Sequence, residues 1–273
     1  MDGFGLSRIF RFRIAYQTMK DHWKISMILT ILFVLMAAMY AGMYPAFKES
    51  LLDMLQSGFA EGFNFLSGAQ DMGTYVGFLN LELYQIFWLM ILGIILGFIS
   101  ASQISKEIEG KTIDLLMSNP VSKKQIIFEK FVGLVPMVLL INFGTMLSVM
   151  GVTIIMDEEL NFSYVALTHL VSIPYFLTVI SIGLLISVLI DEKMKASITM
   201  IAIIVGMFVF NSISLMVPEY ENLGLISISH YFDPYDTLKF GSVDVEGVII
   251  LCVITVWMLI ISMIYFEHKD ITT

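Results

Sequence analysis

Residues 104–130 of this chain read ISKEIEGKTIDLLMSNPVSKKQIIFEK, and this stretch decides how the rest of the chain is organised. It carries five lysines and four acidic residues, and long uncharged runs lie on both sides of it. A dense polar segment between two runs of membrane-spanning length must lie in water at one membrane face. The stretch therefore predicts a loop that joins two membrane spans.

An apolar stripe runs through the first half of this loop. Ile104, Ile108 and Leu115 recur at helical spacing, and Leu116 widens the stripe. A helix with an apolar stripe on a water-exposed loop is typical of a docking element, so we expect a partner to bind here.

The second half of the loop contains a helix stop and a helix start. Pro120 cannot continue a helix, because it lacks a backbone N–H and its ring clashes with the preceding turn. Ser122, with Gln125 three residues later, forms a capping-box pattern. We therefore predict a helix, a break, and a second helix that enters the membrane.

Composition sets the class of protein. The chain has 273 residues, of which 58% are hydrophobic and 14% are charged, and its mean hydropathy is +0.85. Soluble domains carry about 25% charged residues, so this chain is an integral membrane protein. Its single cysteine, Cys252, lies within an apolar run, which excludes a disulfide framework and a zinc site.

Six runs without Asp, Glu, Lys or Arg are each long enough to cross a hydrocarbon core of about 30 Å. Lipid offers no hydrogen-bond partners, so these runs should be helices. The predicted fold is an all-α polytopic membrane protein with six transmembrane helices. Its predicted spans cover residues 25–44, 83–102, 131–156, 160–190, 196–217 and 247–266.

The basic residues set the orientation of these spans. Six crossings place both termini, the 103–130 loop and the 191–195 loop on one side, which we call the inner side. That side holds 13 of the 15 Lys and Arg residues, and the outer side holds Lys48 and Lys239. The positive-inside rule therefore predicts that both termini are cytoplasmic in a multi-pass protein of the cell membrane.

We expect one transmembrane domain over residues 1–273. Residues 1–24 mix basic and bulky apolar side chains, which favours an amphipathic elbow helix in the membrane interface over a positive flank that only orients span 1. The remaining parts are spans 1 and 2 (25–102) with an outer amphipathic loop (45–82), the inner loop (103–130), spans 3 to 6 (131–266) and an inner tail (267–273).

Small and polar residues inside the spans are candidates for packing or transport. Gly93 and Gly97 have GxxxG spacing, which allows close helix packing. Other polar side chains could line a pathway or hydrogen-bond a neighbouring helix. The candidates for lining a pathway are Asn142, Thr145, Ser148 and Asn211. His169, in span 4, is expected to be a satisfied interior histidine.

Several function classes are excluded. Gly110-Lys111-Thr112 resembles the end of a Walker A loop, but Ser105 stands where that pattern requires glycine, so we predict that this chain is not an ATPase. The sequence shows no nucleophile-and-base pair, dinucleotide fingerprint or nucleic-acid face, and no metal ligand is assigned. It has no acid within the spans, which argues against an ion-coupled secondary transporter.

The segment Lys106–Thr112, followed by Leu115-Leu116, Asn119-Pro120-Val121-Ser122 and Lys130, is similar to the E-x-G-T…L-L…P-V-S…K signature of ABC-2 type transporter permeases. That family also has six spans, an N-terminal elbow helix and a partly helical outer loop before the last span. The resemblance covers nearly the whole chain in architecture and about 25 residues in motif.

The resemblance implies a permease subunit of an ATP-driven ABC transporter, with export favoured over import. ATP and Mg would bind two copies of a separate ABC ATPase subunit, and this chain itself would need no cofactor. A second copy of the chain, or a related permease, would complete a dimer in the lipid membrane, without nucleic acid. The coupling residues implied are Lys106, Glu107, Ile108, Glu109, Gly110, Lys111, Thr112, Leu115 and Leu116.

A second class of function stays open. A stand-alone membrane immunity or scaffold protein could use the same loop to bind another partner. The substrate also stays open, because the spans lack charges that would specify an ion.

Overall fold

The computed structural model of the chain describes residues 12–58, 62–113 and 121–270. Within these residues, six helices are long and apolar enough to cross a membrane, and no strand occurs. The all-α polytopic membrane fold is therefore confirmed. Spans 1 to 6 are Arg13–Gln56, Tyr75–Glu109, Lys123–Met156, Phe162–Leu189, Lys193–Met216 and Val245–His268.

Span 1 is one continuous helix of 44 residues. Residues 13–24, predicted as part of the elbow helix, are the first turns of this same helix, while residues 1–11 lie outside the described ranges. At the other end, the helix continues past Pro45 to Gln56. Most of the amphipathic pattern predicted for the outer loop therefore belongs to an extension of span 1.

Span 2 changes its helical geometry along its length. It begins as an α-helix at Tyr75–Leu79, continues as a π-helix over Asn80–Leu92, and returns to an α-helix at Gly93–Ala101. A short turn then leads into the helix Ser105–Glu109 on the inner side. Long π-helices are rare, and shorter ones often accompany functional sites.

The π-helical part of span 2 lies at the centre of the molecule. Its Trp88 side chain is fully buried. The indole ring meets Phe176 of span 4 and Phe33 of span 1 edge-on, at ring-centroid distances of 5.3 and 6.1 Å. Edge-on aromatic pairs are favourable beyond the area they bury. Spans 1, 2 and 4 therefore pack around one aromatic cluster.

Spans 2 and 4 are in close contact near the inner side. A Cβ atom at Gly183 of span 4 would overlap Oγ of Ser100 and would lie 3.1 Å from the backbone nitrogen of Ala101. Helices in lipid gain little from hydrophobic burial, so small residues that permit close backbone contact provide much of the packing energy.

Short helical pieces form the outer surface. Among the described residues, short pieces that follow spans 1 and 5 include Ala69–Asp71, Pro218–Ile226, Ile228–Tyr231 and Pro234–Phe240. Gly68 begins the first piece at φ +77°, and a side chain there would overlap the ring of Tyr235. The first and last outer loops are therefore packed against each other.

Candidate functional site

The inner segment 104–113, which begins with the last residues of the stretch Tyr75–Glu109 and precedes span 3, is the candidate coupling site. Its start is fixed to span 4, because the backbone N–H groups of Ile104 and Ser105 both donate to Oγ of Ser187, at 2.6 and 3.1 Å. These are groups at a helix start that have no partner in their own helix. Span 4 therefore holds the entry of the segment in place.

Glu107 ties the middle of the segment to span 3. Its Oε1 atom lies 3.3 Å from Nζ of Lys130, and its Oε2 atom accepts a 2.5 Å hydrogen bond from the Thr112 hydroxyl. The side chains of Lys130 and Glu107 are only 6% and 20% exposed, which limits their screening by water. Glu107 is one of the coupling residues expected from the sequence. In the structure its carboxylate is bonded within the chain, to Lys130 and Thr112.

Glu109 ties the segment to span 5. Its Oε2 atom accepts a 2.8 Å hydrogen bond from the backbone N–H of Lys193, the first residue of that helix. A carboxylate at a helix start satisfies a free N–H group and interacts favourably with the helix dipole. Glu109 is exposed, so water also reaches it.

The apolar residues of the segment face inward. Ile104 and Ile113 are fully buried, and Ile108 packs against the same core. Leu115 and Leu116, which complete the predicted stripe, lie outside the described residues. The described part of the stripe therefore contacts this chain rather than a free groove.

The outward surface of the segment is its polar tip. Glu109, Gly110 and Lys111 are exposed, and Lys106 and Thr112 are partly exposed. Lys111 has a φ of +52°, a left-handed conformation that is uncommon for a residue with a side chain. This turn ends the short helix and presents the tip to solvent.

The start of span 3 confirms the predicted helix cap and adds a buried acid. Ser122 is the N-cap, and its Oγ accepts from the Gln125 N–H at 3.2 Å. The Gln125 amide does not bond back to the cap, as a full capping box would, but donates to Glu129 at 2.7 Å. Pro120 lies outside the described ranges.

Glu129 is a residue whose role the sequence analysis missed. Its Oε2 atom accepts from the N–H groups of Ile14 and Ala15 at 2.8 and 3.1 Å, so it caps the start of span 1. The side chain is almost completely buried. An acid at the seventh position of span 3, just before its long apolar run, was the available signal, because an acid buried there needs a partner.

The chain end after span 6 closes the inner surface. Nζ of Lys269 binds the Val188 carbonyl at 2.5 Å and also the carboxylate of Asp191. Nζ of Lys123 in turn binds the Lys269 carbonyl at 2.8 Å. Capping of carbonyls by lysines at a helix end is a common stabilising contact. Spans 3, 4 and 6 are therefore joined close to the segment.

The two glycines of span 2 differ in what they contact. A Cβ at Gly97 would lie 2.6 Å from Ile204 and 3.0 Å from Met200, both in span 5. A Cβ at Gly93 would lie 3.5 Å from the Tyr175 hydroxyl of span 4, which is an ordinary contact. Span 2 therefore packs more tightly at Gly97 than at Gly93, and the helix that it contacts at Gly97 is span 5.

The predicted pathway residues of span 3 are engaged inside the chain. The Asn142 amide donates to the His169 carbonyl at 3.0 Å and to Oγ of Ser172 at 2.8 Å. The Ser148 hydroxyl donates to the Val34 carbonyl of span 1 at 2.7 Å. The buried Thr145 hydroxyl bonds its own helix. The sequence left two roles open for these polar residues, lining a pathway or hydrogen-bonding within the helix bundle. These contacts fit the second role.

His169 is a satisfied interior histidine, as expected. Its Nδ1 lies 3.2 Å from Oδ1 of Asn142, and its Nε2 lies 3.1 Å from the Tyr84 hydroxyl. The consistent arrangement is a neutral ring that donates from Nδ1 and accepts at Nε2. The cluster joins spans 2, 3 and 4 by polar contacts.

Asn211 has a different setting from the other candidates. With Leu215 of the same helix, it lines an outer cavity of about 340 Å³. Asp233 in the cavity wall bonds the Ser67 hydroxyl and accepts from the Tyr235 N–H at 2.9 Å. Burial raises the pKa of Asp233, although these two hydrogen bonds partly oppose the rise.

A second contact holds the outer loops together. The Asp71 carboxylate binds both the ammonium of Lys239 and the hydroxyl of Tyr235. Burial alone would raise the pKa of Asp71, but these hydrogen bonds and the charge of Lys239 outweigh it and hold the pKa below its usual value. Hydrogen bonding to Asp71 likewise raises the pKa of Lys239.

Across residues 12–58, 62–113 and 121–270, no group of three or more His, Cys, Asp or Glu side chains could hold a metal ion. Asp233 and Asp244, which line the outer cavity, each accept a backbone N–H at a helix start. Their placement is thus accounted for by helix capping.

A bundle of six apolar helices with a folded polar segment on one side defines a polytopic membrane protein. Comparison with protein families matches residues 16–271 to the family described as ABC-2 family transporter protein. The chain therefore belongs to the ABC-2 transporter family, and it is a membrane permease of ABC transporters. Permeases of this family are membrane subunits that associate with an ABC ATPase and are not ATPases themselves. A comparison with curated proteins finds no match.

Proposed function

We propose that this chain is the permease subunit of an ATP-driven exporter and that its inner segment 104–113 couples it to a separate ABC ATPase. Two ATPase copies carry ATP and Mg, and a second copy of this chain or a related permease completes the membrane unit. Both termini are cytoplasmic in the cell membrane, in line with the charge bias.

One observation carries the proposal. The segment presents an exposed polar tip, residues 109–111, while its base is bonded to spans 3 and 4 and Glu109 of the tip is bonded to the start of span 5. An element that is exposed at its tip and rigidly bonded at its base can pass a push from a partner into several helices. The buried isoleucines stiffen the base, so among the described residues of the segment the tip is the surface that can meet a partner.

The contacts of the segment favour other residues for the interface with the ATPase. Glu107 is occupied by Lys130, and Glu109 is occupied by span 5. Lys111 is exposed and Lys106 is partly exposed, and both are cationic. These two lysines are therefore the groups that would meet acidic residues on the ATPase.

The test is co-purification of the full chain with a candidate ABC ATPase from the same organism. We expect the ATPase to accompany the wild type and to be lost or strongly reduced with Lys106→Glu/Lys111→Glu. Lys48→Glu is the matched control, because it reverses the charge of an exposed lysine on the outer side. Absence of the ATPase from the wild type would overturn the proposal and favour a scaffold protein. Equal recovery with all variants would overturn the lysine contacts.

A further inference from the structure

The start of span 5 depends on a residue from another part of the chain. Span 5 begins at Lys193, and the side chain of its own N-cap residue, Glu192, makes no capping bond among the described residues. Glu192 instead pairs with Lys195 at 2.6 Å. The Lys193 N–H is bound by Glu109, from the tip of the coupling segment. The cap of span 5 is therefore supplied across 84 residues of sequence.

Span 5 is less buried than the other described spans. In its most apolar stretch, 17% of the residues are buried, the lowest share among the six described spans. One attachment is Gly97 of span 2, against which Met200 and Ile204 pack. Another is the Ser197 hydroxyl, which donates to the Phe98 carbonyl of span 2 at 3.2 Å. Span 2 and the coupling segment belong to one helical stretch, Tyr75–Glu109. Both parts of this stretch contact span 5.

The far end of span 5 reaches the outer cavity. Asn211 and Leu215 line that cavity. The following piece, Pro218–Ile226, folds back on the helix, and a Cβ at Gly224 would lie 2.7 Å from the Ser214 hydroxyl. One rigid helix thus connects the tip of the coupling segment with the wall of the outer cavity.

We propose that Glu109 is a positioning residue that passes movement of the coupling segment to span 5, and that it is not a contact for the ATPase. This inference rests on the proposed function, because the movement originates in the ATPase. A push on the exposed tip displaces Glu109, and the charge-assisted bond to Lys193 carries the start of span 5 with it. The lightly buried helix then shifts as a unit and changes the outer cavity.

The reporter for this movement is a single cysteine at the outer end of span 5. Leu215 lines the cavity and is 47% exposed, so Leu215→Cys in a Cys252→Ser background gives one labelling site. The permease–ATPase complex is reconstituted in lipid, and the labelling rate with a membrane-impermeant maleimide is measured without nucleotide and after vanadate trapping with ATP. The ratio of the two rates reports the movement of span 5.

Three substitutions at the helix start separate the explanations. Glu109→Ala removes the acceptor, Glu109→Gln keeps an acceptor oxygen, and Glu192→Ala removes a neighbouring acid that does not cap the helix. We expect the rate ratio to differ clearly from one without substitution, to fall to about one with Glu109→Ala, and to be largely retained with Glu109→Gln and Glu192→Ala. ATPase recovery should be equal in all four.

Each other outcome counts against the inference. A normal ratio with Glu109→Ala would mean that the bond does not transmit movement. Loss of the ATPase with Glu109→Ala alone would make Glu109 a docking contact instead. A reporter insensitive to ATP in the complex without these substitutions would show that span 5 does not move. Absence of the ATPase from that complex would overturn the proposed function and the inference with it.

Discussion

Nζ of Lys130 in span 3 lies 3.3 Å from Oε1 of Glu107 in the coupling segment, and both side chains are largely shielded from water. The pair connects the segment with the span that follows it. Because Glu107 also accepts from the Thr112 hydroxyl, its carboxylate fixes the fold of the segment on both sides. A partner that binds the tip therefore acts on a segment whose internal bonds are already satisfied.

Loss of this ion pair should destabilise the chain. Lys130→Met keeps the apolar stem and removes the charge, and among the described contacts the Thr112 hydroxyl then remains bonded to the Glu107 carboxylate. We expect a loss of about 1–2 kcal/mol, at the low end for a charged hydrogen bond because Glu107 is partly exposed. The loss of stability is measured as a shift in the unfolding midpoint of the purified protein in detergent. Lys124→Met, which breaks the exposed pair with Glu267, is the control and should leave the midpoint unchanged.

The cap on span 1 gives a second prediction. Glu129→Ala leaves the N–H groups of Ile14 and Ala15 without their acceptor in a buried site. Loss of a helix cap costs about 1–2 kcal/mol, and burial of the site puts this case at the upper end. Hydrogen exchange should rise in the first turn of span 1. Unchanged exchange there would mean that another group caps the helix.

The contact between the outer loops predicts a dependence on pH. The pKa of Asp71 is lowered in the folded chain, so its contribution to stability is present above its ordinary pKa and is lost as pH falls through the lowered value. The pKa of Lys239 is raised, so its contribution persists below the ordinary lysine pKa and is lost only as pH rises through the raised value.

The measurement is the unfolding midpoint of wild type and Asp71→Asn over a range of pH. The wild type should be the more stable, by an amount that is constant near neutral pH. The difference should shrink below about pH 4, where an ordinary aspartate becomes protonated. A difference that stays constant at low pH would contradict the assigned ion pair.

The close contact between spans 2 and 4 at Gly183 predicts that one added methyl group destabilises the chain. Gly183→Ala would push a Cβ into Ser100 and toward the backbone of Ala101, which cannot move aside as a flexible side chain would. We expect a loss of about 1–3 kcal/mol, typical of overpacking. Gly206→Ala is the control in span 5, because no described atom lies within 4 Å of its added Cβ. An equal effect of both changes would contradict the packing described here.

Much of the fold could be predicted from sequence because its signals are local. Six uncharged runs, the bias of basic residues and the Ser122 cap each depend on residues close together in the chain. The ends of the spans were harder to place. The apolar pattern does not distinguish a helix that stops at the membrane surface from one that continues, as span 1 does to Gln56.

The position of the site in the chain could be predicted from the sequence, but the contacts of its residues could not. The roles of Glu107, Glu109 and Glu129 depend on partners 23, 84 and 115 residues away, which no periodicity reveals. A charged residue on a polar loop looks available to a partner until its contacts are known. The π-helix of span 2 also has no sequence signal that we recognise, since its residues suit an α-helix equally well.

The most direct test of the central claim is a photo-crosslink from the tip of the coupling segment. A photoreactive amino acid replaces Lys111 in one variant and Lys48 in another, and each is expressed with the ABC ATPase. We expect illumination to join the chain to the ATPase from position 111 and not from position 48, with the product identified by mass spectrometry. No crosslink to the ATPase from position 111, or an equal yield from position 48, would contradict the assignment of this segment as the coupling site.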